Sequence, residues 1–137
     1  MKWILALLCV ALASCMTFNV NKIGAIDTSK KTIAVSMGGG DLANSIKSAL
    51  RADGWKVSII DGLTVNPGAG AAFAGTRGSR YTMKLTAEAI DLELGTFQKV
   101  YSFDMTVLDN ATGEEIANGS GHQTAKRITR KVMEALK

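Results

Sequence analysis

Residues 99–113, KVYSFDMTVLDNATG, decide the fold of this chain, because they join an alternating strand to the turn that ends it. Every second position is apolar, and this set is Tyr101, Phe103, Met105 and Val107. Strict alternation is typical of a strand with one buried face. Asp109 to Gly113 form a tight-turn sequence, since Asn and Gly tolerate positive backbone dihedrals. Residues 114–121 are therefore predicted to return as the second strand of a hairpin.

The elements on either side of this hairpin predict a two-layer α+β domain. Upstream, we expect a strand at 32–37 and then a helix that Asp41 caps and Gly54 ends. A strand at 55–60 follows, and another begins at Tyr81 and passes a bulge or bend before Leu94. Apolar residues recur at helical spacing over 123–136. The order β-α-β-β-β-(β)-α predicts a mixed, mostly antiparallel sheet of four to five strands with both helices on one face.

The amino terminus has the pattern of an export signal. Lys2 supplies a positive charge, and an apolar run of about a dozen residues follows it up to Cys15. A helix that crosses a bilayer needs roughly 20 apolar residues, so a permanent membrane span is not expected. Residues 1–14 are predicted to be a signal peptide.

Leu12-Ala13-Ser14-Cys15 resembles the lipobox of bacterial lipoproteins. The resemblance implies that the Cys15 sulfur receives diacylglycerol, that the chain is cleaved before Cys15, and that further acylation with palmitate anchors it in a membrane. Met16 stands where an aspartate would mark inner-membrane retention in enteric-type bacteria, which favours the periplasmic face of the outer membrane. The alternative is an ordinary cleaved signal that leaves Cys15 as a free thiol.

Composition limits the function classes. Removal of residues 1–14 from the 137-residue chain leaves 15 Lys and Arg against 12 Asp and Glu, and this small excess does not predict nucleic-acid binding. Cys9 leaves with the signal and Cys15 is acylated, so no disulfide is expected. We assign residues 15–31 to a lipidated tether and residues 32–137 to one domain, with no cofactor other than the covalent lipid.

The segment from Val107 to Ile116, with its T-G-E turn, followed by Gly119 and a basic helix, resembles the end of the TolB amino-terminal domain. Small envelope lipoproteins, such as the penicillin-binding-protein activator and curli-secretion lipoproteins, have a similar pattern. The resemblance covers residues 32–136. It implies an α/β protein-contact module in an envelope complex, and it carries over no functional residues.

No catalytic or metal-binding residues are predicted. His122 is the only histidine, and no serine lies in a G-x-S-x-G motif. The Gly38-Gly39-Gly40-Asp41 segment allows a phosphate loop, but a turn with a helix cap explains it more simply. Carboxylates at Glu88, Asp91 and Glu93 suggest either glycosidase or cation chemistry, or a solvated sheet face.

Two segments are candidates for partner binding. The glycine-rich loop at 66–79 and the residue after it offer Phe73, Arg77 and Arg80, which either bind a partner or belong to a flexible connection. The final helix presents a basic face of Lys126, Arg127, Arg130 and Lys131, which either contacts anionic lipid, peptidoglycan or an acidic protein, or is simply solvated. We expect a lipid-anchored, non-enzymatic accessory protein with an envelope-protein partner and unknown oligomeric state; the alternative is a small-ligand or glycan-binding lipoprotein.

Overall fold

A computed structural model describes residues 17–36, 38–60 and 78–137. The signal peptide, Cys15, Phe73 and Arg77 lie outside these ranges. The described elements are β1 (Phe18–Lys22), β2 (Thr32–Ser36), α1 (Gly40–Ala52), β3 (Lys56–Ile60), β4 (Tyr81–Leu92), β5 (Lys99–Asp109), β6 (Glu115–Thr124) and α2 (Ala125–Ala135).

The strands form one mixed sheet with the order β1-β6-β5-β4-β2-β3. β2 runs parallel to both of its neighbours, β3 and β4, whereas the remaining pairs are antiparallel. The predicted α+β class is confirmed, but the described chain has six strands rather than four to five. The predicted irregularity in the long strand is also present, as a register shift of β4 between Ala89 and Asp91.

The additional strand is β1, which lies within the residues assigned above to a tether. Phe18 and Val20 pack against the core, and Asn19 and Asn21 face away from it, so this short segment is an amphipathic strand. It pairs with β6 over Phe18–Lys22. Pairing is possible because β6 carries glycines at Gly119 and Gly121. A Cβ at Gly121 would lie 2.5 Å from the Cα of Phe18, and its φ of 129° also suits glycine.

The core lies between one face of the sheet and the two helices, which pack on each other and on that face. The apolar set predicted for β5, namely Tyr101, Phe103, Met105 and Val107, is buried as expected. α1 contributes Leu42, Ile46 and Leu50, and α2 contributes Ile128 and Val132. Both helices therefore cover the same side of the sheet, and the other side is left to polar residues.

The helix starts differ from the predictions. Asp41 does not cap α1, because Gly39, with a φ of 74°, takes the N-cap position and Asp41 falls in the first turn. Its carboxylate instead accepts a hydrogen bond from Lys99 Nζ at 3.2 Å. Gln123 and Thr124 belong to β6 and not to the last helix, since they pair with Tyr101 and Val100 of β5. No helix in the described part of the chain is long and apolar enough to cross a membrane.

Candidate functional site

Arg80, predicted to contact a partner, is held inside the domain. Its Nε and Nη2 donate to the two carboxylate oxygens of Asp109 at 2.8 and 2.9 Å. Its Nη1 lies 3.7 Å from Asp27 Oδ2, and its guanidinium stands 5.6 Å from the centre of the Tyr81 ring. The bidentate pair fixes the orientation of the side chain. Arg80 thus joins the start of β4 to the end of β5, and a role in binding a partner stays a prediction.

Asp109 is the buried member of this pair, with a side chain 8% exposed. The hydrogen bonds from Arg80 lower the pKa of Asp109 below its ordinary value, against the opposing effect of burial. The backbone N–H of Ala111 also donates to Asp109 Oδ1 at 2.9 Å. The carboxylate therefore organises the β5–β6 turn, and its contacts are structural.

The sheet face opposite the helices presents three rows of polar side chains. Cross-strand pairing aligns them as Glu88-Ser102-His122, Thr86-Asp104-Ser120-Asn19 and Lys84-Thr106-Asn118-Asn21. We call this surface the polar face. It forms a shallow concavity of about 590 Å³ over Glu88, Asp104 and His122. The acidic residues of this face are Glu88, Asp104 and the adjoining Glu115, which accepts a hydrogen bond from Asn118 at 2.6 Å. They outnumber Lys84, the one lysine or arginine in these rows.

The polar face does not have the geometry of a Ser-His-acid catalytic triad. Ser102 lies between Glu88 and His122 on adjacent strands, whereas a catalytic triad needs the histidine between the acid and the hydroxyl. Within residues 17–36, 38–60 and 78–137, no three His, Cys, Asp or Glu side chains cluster closely enough to hold a metal ion. Hydroxyls, amides and carboxylates on a flat sheet are suited to hydrogen-bond a polar ligand.

The basic residues predicted on the last helix are exposed, and two of them make ion pairs. Arg127 Nη1 lies 3.7 Å from Glu93 Oε1, and Lys131 Nζ lies 3.1 Å from Glu134 Oε2. Lys126 and Arg130 are exposed to solvent. Glu93 is therefore a contact of α2 and not a residue of the solvated sheet face. What the basic face binds stays a prediction.

Sequence reasoning missed an apolar surface on the β4–β5 hairpin. β4 continues to Leu92 although its pairing with β2 ends at Met83, so residues 89–99 extend beyond the end of β2. Four apolar side chains on this extension are exposed: Ile90 by 50%, Leu92 by 51%, Leu94 by 95% and Phe97 by 76%. We call residues 89–99 the hairpin tip. Phe97 is also the one described non-glycine residue with a positive φ, 55°.

The hairpin tip is an ordered loop. Glu93 N–H donates to the Gln98 carbonyl at 2.8 Å, and Phe97 N–H donates to the Glu93 carbonyl at 2.9 Å. The Thr96 hydroxyl donates to Glu93 Oε2 at 2.5 Å. These contacts and the Arg127 ion pair fix the loop, so Leu94 and Phe97 are held in solvent by a defined backbone. The exposure of these side chains depends on which neighbouring strands end earlier, and local sequence patterns do not give this.

Architecture and surfaces together define a small two-layer α+β protein with a polar open sheet face and an apolar hairpin at one end. Among solved structures, it is similar to a point variant of the PelC dodecamer from Paraburkholderia phytofirmans, with a TM-score of 0.62 and 18% identity over 88% of this chain and 97% of that chain. A second structure of the PelC dodecamer from the same organism gives 0.59 and 17% over 88% and 98%. At this identity the likeness shows the fold.

No protein-family model and no curated protein matches the chain. The likeness to PelC does not bear on the resemblance to the TolB amino-terminal domain, which stays a prediction.

Proposed function

We propose that this protein is a non-enzymatic accessory lipoprotein of the bacterial cell envelope, held by lipid on Cys15 and working as an assembly of several copies. The observation that carries the proposal is the likeness to PelC over nearly the whole of both chains, because the solved PelC structures are dodecamers. The leader and the lipobox-like segment of the sequence support the anchored location. The periplasmic face of the outer membrane is the location proposed.

The edges of the sheet provide surfaces for assembly. β1 and β3 are the outer strands, and within the described residues neither pairs with a strand on its outer side. Unpaired strand edges accept another strand readily, and both edges here are only five residues long. Ile59 on β3 is exposed by 53% and adds an apolar contact. Head-to-tail contact between unlike edges closes into a ring when the rotation per copy permits it.

Two measurements on the full chain expressed in a Gram-negative host test the anchor and the assembly separately. We expect the wild type to incorporate labelled palmitate and to sediment with envelopes, and the Cys15→Ser variant to lose both properties. Palmitate incorporation by the Cys15→Ser variant at the wild-type level would contradict the anchor. Detergent-extracted protein examined by sedimentation velocity is expected to contain many copies, and a uniform monomer at micromolar concentration would contradict the assembly.

A second candidate function is the binding of a glycan by the polar face. The observation that favours it is the concavity over Glu88, Asp104 and His122, whose lining also includes the small residues Ser102, Ser120 and Gly121. NMR titration of the detergent-solubilised protein with chitohexaose and with a uronic-acid hexasaccharide tests it. Saturable shifts confined to the three polar rows support glycan binding, and the Ser120→Trp variant should abolish them. Absence of shifts at millimolar sugar for both compounds would remove these glycan classes.

A further inference from the structure

We propose that the hairpin tip seats on the lipid bilayer, with Leu94 and Phe97 in the membrane interface beside the acyl chains of Cys15. The proposal rests on the lipid anchor proposed above and adds which end of the domain faces the membrane. Four independent features of the described residues lead to it: the position of the chain end, the apolar tip, the backbone of Phe97 and the charges around the tip.

The anchor and the tip lie at the same end of the sheet. Thr17, two residues after Cys15, accepts a hydrogen bond from His122 N–H at 3.0 Å, and His122 pairs with Ser102 of β5. A chain spans at most about 3.6 Å per residue, so the Cα of Cys15 is within roughly 7 Å of that of Thr17. From Ser102, β5 runs back only three residues, about 10 Å, to Lys99 at the tip. A short connection of this kind keeps the tip near the bilayer.

The described part of the domain does not cover the apolar side chains of the tip. Leu94 and Phe97 are among the most exposed large apolar side chains described, at 95% and 76%. Scattered single apolar residues on a surface are ordinary, but here four lie within eight residues of one protruding loop. Apolar side chains at the level of lipid headgroups bury about 5–10 Å into the interface.

The backbone at Phe97 supports a role outside the fold. A left-handed conformation is unfavourable for a bulky residue, and asparagine or glycine relieves it. Phe97 has a φ of 55° although its ring is mostly exposed, so packing within the domain does not explain an aromatic residue there. Strained positions of this kind are concentrated at functional surfaces.

Two basic residues, Lys126 and Arg127, lie beside the tip on the helix side. α2 begins at Ala125, directly after β6 ends opposite Val100, so Lys126 and Arg127 lie in its first turn at this end of the sheet. That turn contains no acidic residue. Cations near a helix N-terminus oppose the helix dipole, so they do not serve helix stability. Arg127 pairs with Glu93 of the tip, so Lys126 is the cation left to attract anionic headgroups, and the nearness of the lipid anchor favours a bilayer over an apolar protein pocket as the occupant.

The test places a probe at the tip of the lipidated protein. In the Leu94→Cys variant the introduced thiol takes a polarity-sensitive fluorophore, and the protein is reconstituted in vesicles of phosphatidylethanolamine and phosphatidylglycerol that contain nitroxide-labelled lipid. The matched control is Ile23→Cys, since Ile23 is 57% exposed but follows β1 at the opposite end of the sheet. We expect the fluorophore at position 94 to be quenched at least about twofold and the control to be unaffected.

A second variant separates membrane seating from folding. Phe97→Asn suits the positive φ and removes the ring, so we expect it to fold normally and to reduce the quenching at position 94 by about half. Palmitate incorporation with equal, unquenched probes at positions 94 and 23 would overturn this proposal and leave the anchor intact. Loss of palmitate would instead reject the proposed function. Shielding of position 94 in the assembled protein without vesicles would assign the tip to a second copy and overturn the bilayer contact.

Discussion

The two ends of the β4–β5 pair differ in how their side chains find partners. At the end where β4 starts and β5 finishes, Arg80 and Asp109 pair through two hydrogen bonds, and Thr82 and Asn110 form another at 2.9 Å. At the other end, Leu94 and Phe97 are directed to solvent. Contacts within the domain satisfy the side chains of the first end, whereas the second end leaves apolar side chains exposed. Substitutions should therefore lower stability at the first end and leave it largely unchanged at the second.

Apart from the buried-core control Phe103→Asn, Asp109→Ala should have the largest effect. It leaves Arg80 with the longer contact to Asp27 and the Tyr81 ring, and it removes the acceptor for Ala111 N–H. We expect the melting temperature to fall by about 10 °C in a thermal scan followed by circular dichroism. The matched control is Asp104→Ala on the polar face, which is exposed and should melt within about 2 °C of the wild type. Equal effects of the two variants would contradict the assignment of Asp109 as a structural residue.

Gly121→Ala should have the next largest effect, because the new Cβ meets the backbone of Thr17 and Phe18. We expect β1 to separate from β6 and the melting temperature to fall by about 8 °C. Amide hydrogen exchange should locate the change, with protection lost at Asn19 and Asn21, whose N–H groups face β6, and retained in β5. Gly113→Ala, where an added Cβ meets no neighbour but φ is 74°, is the control for backbone strain alone. Retained protection in β1 of the Gly121→Ala variant would mean that the strand tolerates the displacement.

Acid should weaken the Arg80–Asp109 end specifically. The folded-state pKa of Asp109 is lowered, mainly by the hydrogen bonds from Arg80, so its contribution to stability is present above its unfolded pKa near 3.8 and is lost as the pH falls below that value. Asp27 and Asp53 also have lowered pKa values, from Ser29 and Lys31 respectively, and contribute in the same direction. Between pH 5 and pH 3 we expect Asp109→Asn to show a smaller drop in melting temperature than the wild type, by about 4 °C. Parallel curves would contradict this.

Phe97→Asn should have the smallest effect, and of the opposite sign. Asparagine accepts the left-handed conformation at this position better than phenylalanine, and the exposed ring contributes little packing. The melting temperature in detergent should rise by about 2 °C, as measured by differential scanning calorimetry. Phe103→Asn, at a buried site, is the contrasting variant and should unfold the domain. A drop for Phe97→Asn comparable to that of Asp109→Ala would show that the two ends do not differ.

The spacing of apolar residues along the sequence predicted much of the fold. Alternation located β5 and the start of β4, and helical spacing located α1 and α2, since both signals depend on residues near one another in sequence. β1 was not predicted, because its five residues pair with residues about a hundred positions away. The available signal was the alternation of Phe18 and Val20 with asparagines, together with glycines at alternate positions in β6.

The candidate surfaces were harder to predict than the elements. Arg80 was chosen as a partner-binding residue because it follows a glycine-rich loop, but its pairing with Asp109 depends on tertiary contact across 29 positions. Asp41 is of a residue type that often caps helices. The helix α1 instead begins at Gly40, one residue before Asp41, in a run of three glycines with positive φ. The apolar residues of the hairpin tip are exposed because β2 ends before β4 does, and the relative lengths of strands that are distant in sequence cannot be read from local patterns.

The position of β1 also sets the order in which the chain can finish folding. Its partner β6 lies near the carboxyl end, so the sheet cannot accept this first strand until almost the entire polypeptide is available to fold. If the chain carries the lipid anchor proposed above, attachment of lipid and removal of the leader can therefore precede the pairing of β1. Pairing of β1 with β6 would then come last and shorten the link between that proposed anchor and the folded domain.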